Sequence, residues 1–231
     1  MTSTNFSSDA QSWMISLGAL LAALNNNHCS SLALDQKSNT DLIQSWHRTL
    51  SRDWGIHNRA ELIDMLKWLH TEGHAQNYQN IASYWNRFNE QQFALEINRI
   101  EQPEHQIQAK LAYTHRHVIS KGGILAWDLG RYAHLVRTAF FIDWITEDEA
   151  WRLLSIAAET AQINFSSWHQ YGISYCVGRL FWKKTALSQK SCEDNFTYLQ
   201  KVLSDSTHPW SKIAWHTKFP DLDNKEINDF Y

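Results

Sequence analysis

Glycine and proline are scarce in this sequence, with 8 Gly and 3 Pro among 231 residues. Because these two residue types supply many tight turns, their scarcity leaves few signals for β-hairpins. Hydrophobic residues make up 43% of the chain, which is enough for a sizeable core. We therefore predict a mostly helical protein in which residues 1–231 form a single domain.

Cysteine and excess positive charge are also lacking. The chain has three cysteines, and their wide spacing predicts neither a disulfide framework nor a zinc motif (Cys29, Cys176 and Cys192). The formal net charge of -3 lacks the basic excess that is typical of nucleic-acid-binding proteins. We accordingly expect no cofactor, no metal ion and no nucleic-acid partner.

A long hydrophobic run is missing as well. The first apolar run, MISLGALLAAL at residues 14–24, is shorter than the ~20 residues that a membrane-spanning helix needs. Asp9 precedes this run and no Lys or Arg does, whereas a signal peptide begins with a positively charged segment. We expect a cytoplasmic protein that makes no membrane contact.

Aromatic residues, in contrast, are abundant, with 12 Trp, 10 Phe and 8 Tyr. Buried Trp and Tyr need partners for their polar groups, so the core should also contain acceptors. Apolar residues recur at helical spacing along nearly the whole chain. We predict an all-α domain of about eight helices, with N-terminal helices in 9–53, a core over 54–184, and a C-terminal helix and polar tail in 185–231.

Short motifs predict where some of these helices begin and end. Asn58 can cap the helix that follows it, and Gly55 interrupts the helix that precedes it. Thr146 and Glu149 have the spacing of a capping box, in which two side chains satisfy free amides at a helix start. Elsewhere we predict continuous helices over 9–24 and 77–100.

The predicted helix over 124–144 has two unlike sides. At 100° per residue, one side is an ordinary apolar stripe (Leu125, Leu129, Ala133, Val136 and Phe140). The other side combines residue types that a solvent-facing side would not (Trp127, Gly130, Arg131, His134 and Thr138). A helical Gly costs about 1 kcal/mol relative to Ala, so Gly130 indicates close approach by another backbone.

The predicted helix over 166–182 repeats this arrangement. Its second side carries Trp168, Gly172, Tyr175, Arg179 and Trp182, and both helices contain the dipeptide Gly-Arg. We predict that the two sides meet in an aromatic–arginine seam with Asp128 as its internal counter-ion. The predicted seam residues are Trp127, Asp128, Arg131, His134, Trp168, Tyr175, Arg179 and Trp182.

Two interpretations of this seam remain open. In the first, its residues only join the helices, because buried charges are normally paired. In the second, the arginines exceed the nearby acids, and the seam is a cleft that accepts an external anion.

Other candidate chemistry has weaker support in the sequence. His70 and His74 stand four residues apart and could share a zinc ion, but no third ligand is evident. Arg52 and His57 have the spacing of some helical ribonucleases, but Gly55 interrupts the helix between them. We find no phosphate loop, nucleophile elbow or suitable carboxylate pair, so we assign no catalytic residue and no metal ligand.

Several motifs together resemble a known family. They are WGI (54–56), LKWLHTEGH (66–74), AWDLGR (126–131), ITEDEAW (145–151) and SSWHQYGISYCVGRLFW (166–182). The set resembles the bacterial family numbered 1266 among the domains of unknown function. The resemblance implies a helical bacterial cytosolic domain, and it leaves the first 50 residues and the tail after Lys184 outside the match. The family's signature positions fall on Trp127, Asp128, Gly130 and Arg131, and on Trp168, Tyr175, Gly178, Arg179 and Trp182.

The function that we expect is protein binding rather than catalysis. Its most concrete form is an immunity protein that neutralises a bacterial toxin, such as a contact-dependent inhibition nuclease. An acidic surface would face this basic partner (Asp143, Glu147, Asp148 and Glu149). The alternative is an enzyme or a nucleotide- or anion-binding protein that uses Arg131 and Arg179, with His134 as an acid or base.

Overall fold

The computed structural model describes residues 6–25, 29–184 and 189–219, apart from the side chains of 189–192, 194 and 195. Twelve α-helices occur among these residues, and no strand does. They are α1 (Ser8–Ser16), α2 (Ala19–Leu24), α3 (Thr40–Thr49), α4 (Arg59–Thr71), α5 (Gly73–Trp85), α6 (Glu90–Glu96), α7 (Pro103–His115), α8 (Leu125–Phe141), α9 (Glu147–Asn164), α10 (Trp168–Lys183), α11 (Gln189–Ser204) and α12 (Pro209–Lys212). A π-helical segment (Leu50–Trp54) extends α3, and a 3-10 turn (Ile97–Arg99) follows α6.

Helix α8 lies at the centre of the fold. Every residue from Ala126 to Ala139 is buried, and the helix packs against α2, α4, α5, α9 and α10. Both sides of the pattern found in its sequence are therefore covered by other helices. The all-α fold class is confirmed. Within the described ranges, no helix is both long and apolar enough to cross a membrane.

The local motifs predicted helix starts correctly. The side chain of Asn58 accepts from the backbone N–H of Glu61 at 3.0 Å and caps α4. The hydroxyl of Thr146 accepts from the N–H of Glu149 at 3.2 Å, and the Glu149 carboxylate accepts from the N–H of Thr146 at 2.8 Å. Gly55 ends the π-helical segment in a left-handed conformation, with φ of 65°. These predictions succeeded because capping depends on residues close together in the chain.

The described residues form more α-helices than the eight or so that we predicted, in part because two predicted helices are divided. The segment 9–24 forms two helices that separate after Ser16. The hydroxyl of Tyr171 donates to the carbonyl of Leu17 at 3.0 Å, and Nε1 of Trp210 donates to the carbonyl of Ser16 at 2.9 Å. These distant donors bind carbonyls that a continuous helix would use, so the break has a tertiary cause.

The predicted helix over 77–100 is divided as well. Helix α5 ends at Trp85, and Asn89 starts α6 through a second capping box. The Asn89 side chain accepts from the N–H of Gln92 at 2.9 Å, and the Gln92 side chain accepts from the N–H of Asn89 at 3.0 Å. The Asn-x-x-Gln pattern of this cap is present in the sequence, and our prediction missed it.

Tryptophans hold the last described residues against the helical core. Nε1 of Trp168 donates to the carbonyl of Ile213 at 2.9 Å, and Nε1 of Trp215 donates to the carbonyl of Phe165 at 3.0 Å. The rings of Trp168 and Trp210 stack, with centroids 5.0 Å apart. The indoles of Trp168 and Trp215 thus have the acceptors that their burial requires. The predicted polar tail beyond these residues lies outside the described part of the chain.

Candidate functional site

A cleft of about 580 Å³ opens among α2, α3 with its π-helical extension, α8 and α10. Its size suits a small organic ligand. We call it the Trp–Arg cleft. Its lining residues are Leu21, Leu24, Asn25, Leu42, Ser45, Trp46, Thr49, Asp53, Trp54, Trp127, Arg131, His134, Arg179, Trp182 and Lys183.

Five of the eight predicted seam residues line the Trp–Arg cleft. Trp127, Arg131 and His134 come from one side of α8, where they recur at i, i+4 and i+7. Arg179 and Trp182 come from one side of α10. The structure therefore brings together the two sides that the sequence pattern singled out.

Two glycines let α8 and α10 approach each other closely. A Cβ at Gly130 would lie 2.8 Å from Cε2 of Tyr175, and a Cβ at Gly178 would overlap the Cβ of Trp127. Trp127 and Tyr175 also contact each other edge-on, with ring centroids 5.2 Å apart. Each Gly-Arg dipeptide thus places its glycine against an aromatic residue of the other helix and its arginine at the cleft. The backbone approach predicted from Gly130 comes from the carbonyl oxygen of Leu17, which would lie 3.2 Å from the added Cβ.

Asp128 is the internal counter-ion of Arg131. Its Oδ1 lies 2.6 Å from Nη2 of Arg131, and its Oδ2 accepts from the backbone N–H of Ala75 at 2.8 Å. Nη2 of Arg131 also lies 2.8 Å from Nδ1 of His74. Gly73 has a left-handed φ of 55°, and a Cβ there would overlap the Asp128 carboxylate. The turn between α4 and α5 therefore holds Asp128, which in turn positions Arg131.

Positive charge predominates in the Trp–Arg cleft. Arg131, Arg179 and Lys183 line it, and Asp53 is the one carboxylate among its lining residues, all of which are described. The charge of Arg179 lowers the pKa of Lys183, with a smaller contribution from burial. Two like charges therefore lie near each other at the end of α10. An anion in the cleft would offset their repulsion.

Tryptophan rings form much of the cleft surface. Trp127 and Trp182 lie beside each other, with ring centroids 5.4 Å apart. The guanidinium carbon of Arg131 is 4.9 Å from the Trp127 ring centroid and 5.7 Å from that of Trp54, distances typical of cation–π contacts. Trp182 is 46% exposed. These rings offer flat faces on which a planar ligand group could stack.

Three N–H groups of the lining side chains are buried with no hydrogen-bond acceptor among the described residues. They belong to Nε1 of Trp46, Nε1 of Trp127 and Nε of Arg131. The hydroxyl of Tyr175 is in the same state, and burial raises its pKa. A buried unsatisfied donor costs about 1–3 kcal/mol. Donors in this state favour a ligand that supplies acceptor atoms.

His134 is buried in the wall of the cleft. Its ring contacts Trp46 edge-on, with centroids 5.3 Å apart. Burial, and then the charge of Arg137, lowers the pKa of His134 to about 4. The imidazole is therefore neutral at neutral pH, and so low a pKa makes it a poor general base there. This environment suits a hydrogen-bonding group better than a group that exchanges protons.

The π-helical segment supplies cleft residues that the sequence analysis missed. It continues α3 as far as Gly55 and brings Asp53 and Trp54 to the cleft, beside Trp46 of α3. Turns of this kind are rare in proteins, and those that occur are frequently found at functional sites. The spacing of apolar residues does not distinguish a π-helical turn from an α-helical one. The signal available in the sequence was the presence of Trp46 and Trp54 shortly before Gly55.

Three of the predicted seam residues do not line the cleft. Asp128 is fully buried beneath Arg131, and Tyr175 is buried between the two helices. Trp168 belongs to the tryptophan cluster around the last described residues, where its ring stacks on Trp210. Asp128 and Tyr175 thus support the cleft, whereas Trp168 has a separate structural role.

The predicted acidic surface lies where α8 ends and α9 begins. Each of its carboxylates has a partner within the chain: Lys37 for Asp143, the indole of Trp151 for Glu147, Arg152 for Asp148, and Arg59 for Glu149. The three ion pairs of Asp143, Asp148 and Glu149 reduce the negative charge that the segment presents outward, whereas the indole of Trp151 leaves the charge of Glu147 in place.

The two weaker candidate pairings are not formed. His70 contacts Thr160 at 2.9 Å, whereas His74 contacts Arg131, so the two rings have different partners. Arg52 pairs with Asp53, and His57 pairs with Glu61. Among the described residues, no three His, Cys, Asp or Glu side chains are grouped so that they could hold a metal ion.

Comparison with known proteins identifies the family. The matching family model is described as a protein of unknown function, DUF1266, and it covers residues 49–215. The chain belongs to this family. The match extends beyond the 54–184 core that we predicted for this DUF1266 protein and includes α11 and α12. This extension has a structural reason, because α11 packs against α10, and α12 packs against α11 and α1.

Two relatives of this DUF1266 protein come from Escherichia coli (strain K12). Uncharacterized protein YbeU is 31% identical over 156 residues, which are 67% of this chain and 63% of YbeU. Uncharacterized protein YbeR is 26% identical over 199 residues, which are 78% of this chain and 83% of YbeR. The chain thus spans just under two thirds of the length of YbeU. No solved structure matches the chain at a significant level.

Proposed function

We propose that this DUF1266 protein binds a small ligand that combines a planar ring with an anionic group, as a nucleotide does. The site is the Trp–Arg cleft. The observation that carries the proposal is the convergence of three cationic side chains and four tryptophans on one cleft of about 580 Å³. Ligand sites are typically concave and largely apolar, with a few convergent polar groups. The cleft has this composition.

The tryptophans would bind the planar part of the ligand. Trp54 and Trp127 lie on the guanidinium of Arg131, and Trp182 is partly exposed to solvent beside Trp127. Stacking of a nucleobase on an aromatic side chain is worth about 1–3 kcal/mol. Stacking of this kind tolerates different bases, so we expect the rings to favour planarity over any particular base.

The cations would bind the anionic part. Arg179 and Lys183 are one turn apart on α10, and the charge of the first lowers the pKa of the second. Arg131 also lines the cleft, and it pairs with Asp128. We expect the ligand's anion nearest to Arg179 and Lys183, because a phosphate or carboxylate there would offset the repulsion between their charges.

The proposal is one of binding and includes no reaction. His134, the acid or base of the enzyme alternative, has a pKa lowered to about 4. A proton-transfer group works best when its pKa lies near the operating pH. A neutral His134 can still donate or accept a hydrogen bond, which is consistent with a binding site.

Titration of the purified protein tests this proposal. Tryptophan fluorescence and calorimetry would measure binding of a nucleoside monophosphate, its parent nucleoside and an aromatic carboxylate. We expect the monophosphate to bind more tightly than the nucleoside, and Arg179→Ala to weaken its binding about tenfold or more. Arg48→Ala is the matched control, because Arg48 is an exposed arginine of α3 outside the cleft lining. Equal affinities for wild type and Arg179→Ala would refute the proposal.

Toxin neutralisation remains a second prediction, which comes from the sequence. Its support is the acidic residue content at the start of α9, and partner contacts within the chain reduce that charge. The test is capture of a basic toxin from the bacterial host, repeated with Glu147→Gln and Asp148→Asn together. A toxin that binds wild type and this variant equally would contradict an acidic interface.

A further inference from the structure

We propose that a second cleft in this protein binds a phosphate-type oxyanion. This cleft, of about 280 Å³, lies among α5, the end of α7 and the loop that leads into α8. It shares no lining residue with the Trp–Arg cleft, and every residue of both linings is described. The inference therefore does not depend on the function proposed above. We call this site the α5–α7 cleft.

The charge of the α5–α7 cleft is positive. Arg116 and Lys121 line it, and none of its lining residues, all within the described ranges, carries a carboxylate. The guanidinium carbon of Arg116 lies 3.7 Å from the ring centroid of Tyr113, and Nη1 donates to the backbone carbonyl of Tyr113. These contacts orient the guanidinium before any ligand arrives, so less conformational entropy is lost on binding.

Two hydroxyl groups of the lining residues point to an acceptor-rich ligand. The hydroxyl of Tyr78 and Oγ of Ser120 are buried, and neither has a hydrogen-bond partner among the described residues. Tyr78 is only 2% exposed, and burial raises its pKa to about 12. The phenol therefore keeps its proton at neutral pH and can act as a donor. An oxyanion accepts hydrogen bonds and donates none when fully ionised, so it matches these groups.

The loop before α8 completes the site. Gly123 has a left-handed φ of 54°, and a Cβ there would lie 3.3 Å from Cδ1 of Tyr78. Glycine at this position lets the loop close against α5. Helix α8 begins just beyond the loop, and there Oγ of Ser174 accepts from the backbone N–H of Ala126 at 3.2 Å. The site therefore depends on the side chains of the cleft, and the positive charge at this end comes from Lys121.

These features favour a phosphoryl group over a larger ligand. The cleft has about half the volume of the Trp–Arg cleft, and Tyr78 is the one aromatic residue among its described lining residues. Side-chain amides and hydroxyls accompany the two cations (Gln79, Ser83, Asn86 and Ser120). A phosphoryl group presents oxygens in several directions and can accept from donors on different sides at once.

The test is calorimetric titration of the full chain with inorganic phosphate, against chloride at equal ionic strength. We expect millimolar phosphate to bind wild type. We expect Lys121→Ala to weaken the binding about tenfold, and Tyr78→Phe to weaken it several-fold. Tyr78→Phe keeps the ring that packs on Phe181, so the fold should persist. Lys110→Ala is the matched control, because Lys110 lies on α7 outside the cleft lining.

Three outcomes would overturn the proposal. They are the absence of phosphate binding to wild type, unchanged affinity in both Lys121→Ala and Tyr78→Phe, and loss of phosphate binding in Arg179→Ala. The last result would place the anion in the Trp–Arg cleft instead. Titration with glycerol 3-phosphate separates two sources of the ligand. Tighter binding of the ester would support an organic phosphate at the α5–α7 cleft, and equal binding would support the free ion there.

Discussion

Gly178 of α10 packs directly against Trp127 of α8, so closely that a Cβ at Gly178 would overlap the Cβ of Trp127. The reciprocal contact joins Gly130 of α8 to the ring of Tyr175. Together these contacts set the separation of the two helices, and the residue after Gly178, Arg179, lines the Trp–Arg cleft. The two interpretations of the seam are therefore compatible, because residues that join the helices also position the cleft.

Replacement of Gly178 by Ala should destabilise the protein. The added methyl group cannot fit beside Trp127 unless one helix moves, and overpacking of this kind costs about 1–3 kcal/mol. Urea unfolding measures the loss. Gly18→Ala is the control, because a Cβ there would meet its neighbours at ordinary distances of 3.6–3.8 Å. A Gly178→Ala protein as stable as the control would show that the helices are not in close contact.

Replacement of Asp128 by Asn should cost about 3–5 kcal/mol of stability, because it leaves the buried charge of Arg131 without its counter-ion. An Asn side-chain oxygen can still accept from the backbone N–H of Ala75. The double variant Asp128→Asn, Arg131→Met removes both charges and should be more stable than Asp128→Asn alone. Chemical unfolding of wild type, Asp128→Asn, Arg131→Met and the double variant forms a double-mutant cycle. Additive effects in this cycle would contradict a coupled ion pair.

The stability of the protein should depend on pH through His134. Its pKa is lowered from 6.5 in the unfolded chain to about 4 in the fold, mainly by burial. The unfolded chain thus binds the proton more readily between these values. Above about pH 6.5, His134 is neutral in both states and its titration costs no stability. As the pH falls towards about 4, the free energy of unfolding decreases by about 3 kcal/mol in total, because the proton binds only to the unfolded chain.

Urea unfolding of wild type and His134→Gln across this pH range tests the prediction. The difference in unfolding free energy between the two proteins isolates His134 from the other titrating groups. We expect wild type to lose more stability than the variant on acidification from pH 7 to pH 4.5. Parallel curves would mean that His134 is not buried as a neutral group.

Trp168 and Trp182 should respond oppositely to substitution by Phe. Trp168 stacks on Trp210 and donates to the carbonyl of Ile213, so Trp168→Phe should cost about 1–3 kcal/mol and leave ligand affinity unchanged. Trp182 is 46% exposed at the Trp–Arg cleft, so Trp182→Phe should mainly weaken ligand binding. Each variant is the control for the other. The reverse pattern would show that Trp168, and not Trp182, contacts the ligand.

Backbone amides of α3 should exchange with solvent faster than those of α8. None of the ten residues of α3, all of them described, is buried, whereas α8 is buried over most of its length. Few buried contacts mean that local opening requires little free energy. Hydrogen exchange measured by NMR or mass spectrometry compares the two helices. A ligand in the Trp–Arg cleft should slow the exchange of α3, which supplies Trp46 to the lining.

Local sequence patterns predicted much of the fold. The caps at Asn58 and Thr146, and the break at Gly55, occur where their motifs indicated. Each of these features depends on residues within a few positions of one another. The separation of α1 from α2 was not predictable in this way, because the donor that binds the carbonyl of Leu17 is the distant hydroxyl of Tyr171.

The sequence by itself determined that two helices would each carry a Gly-Arg dipeptide within an aromatic side, because helical geometry fixes which residues share a side. Only the tertiary structure decided what that side contacts. It placed Trp46 and Trp54 in one cleft with Arg131. The spacing of residues along the chain did not predict this arrangement. It also separated Trp168 from that cleft. The physical reason is that packing selects among long-range contacts, and helical spacing constrains only neighbours along one helix.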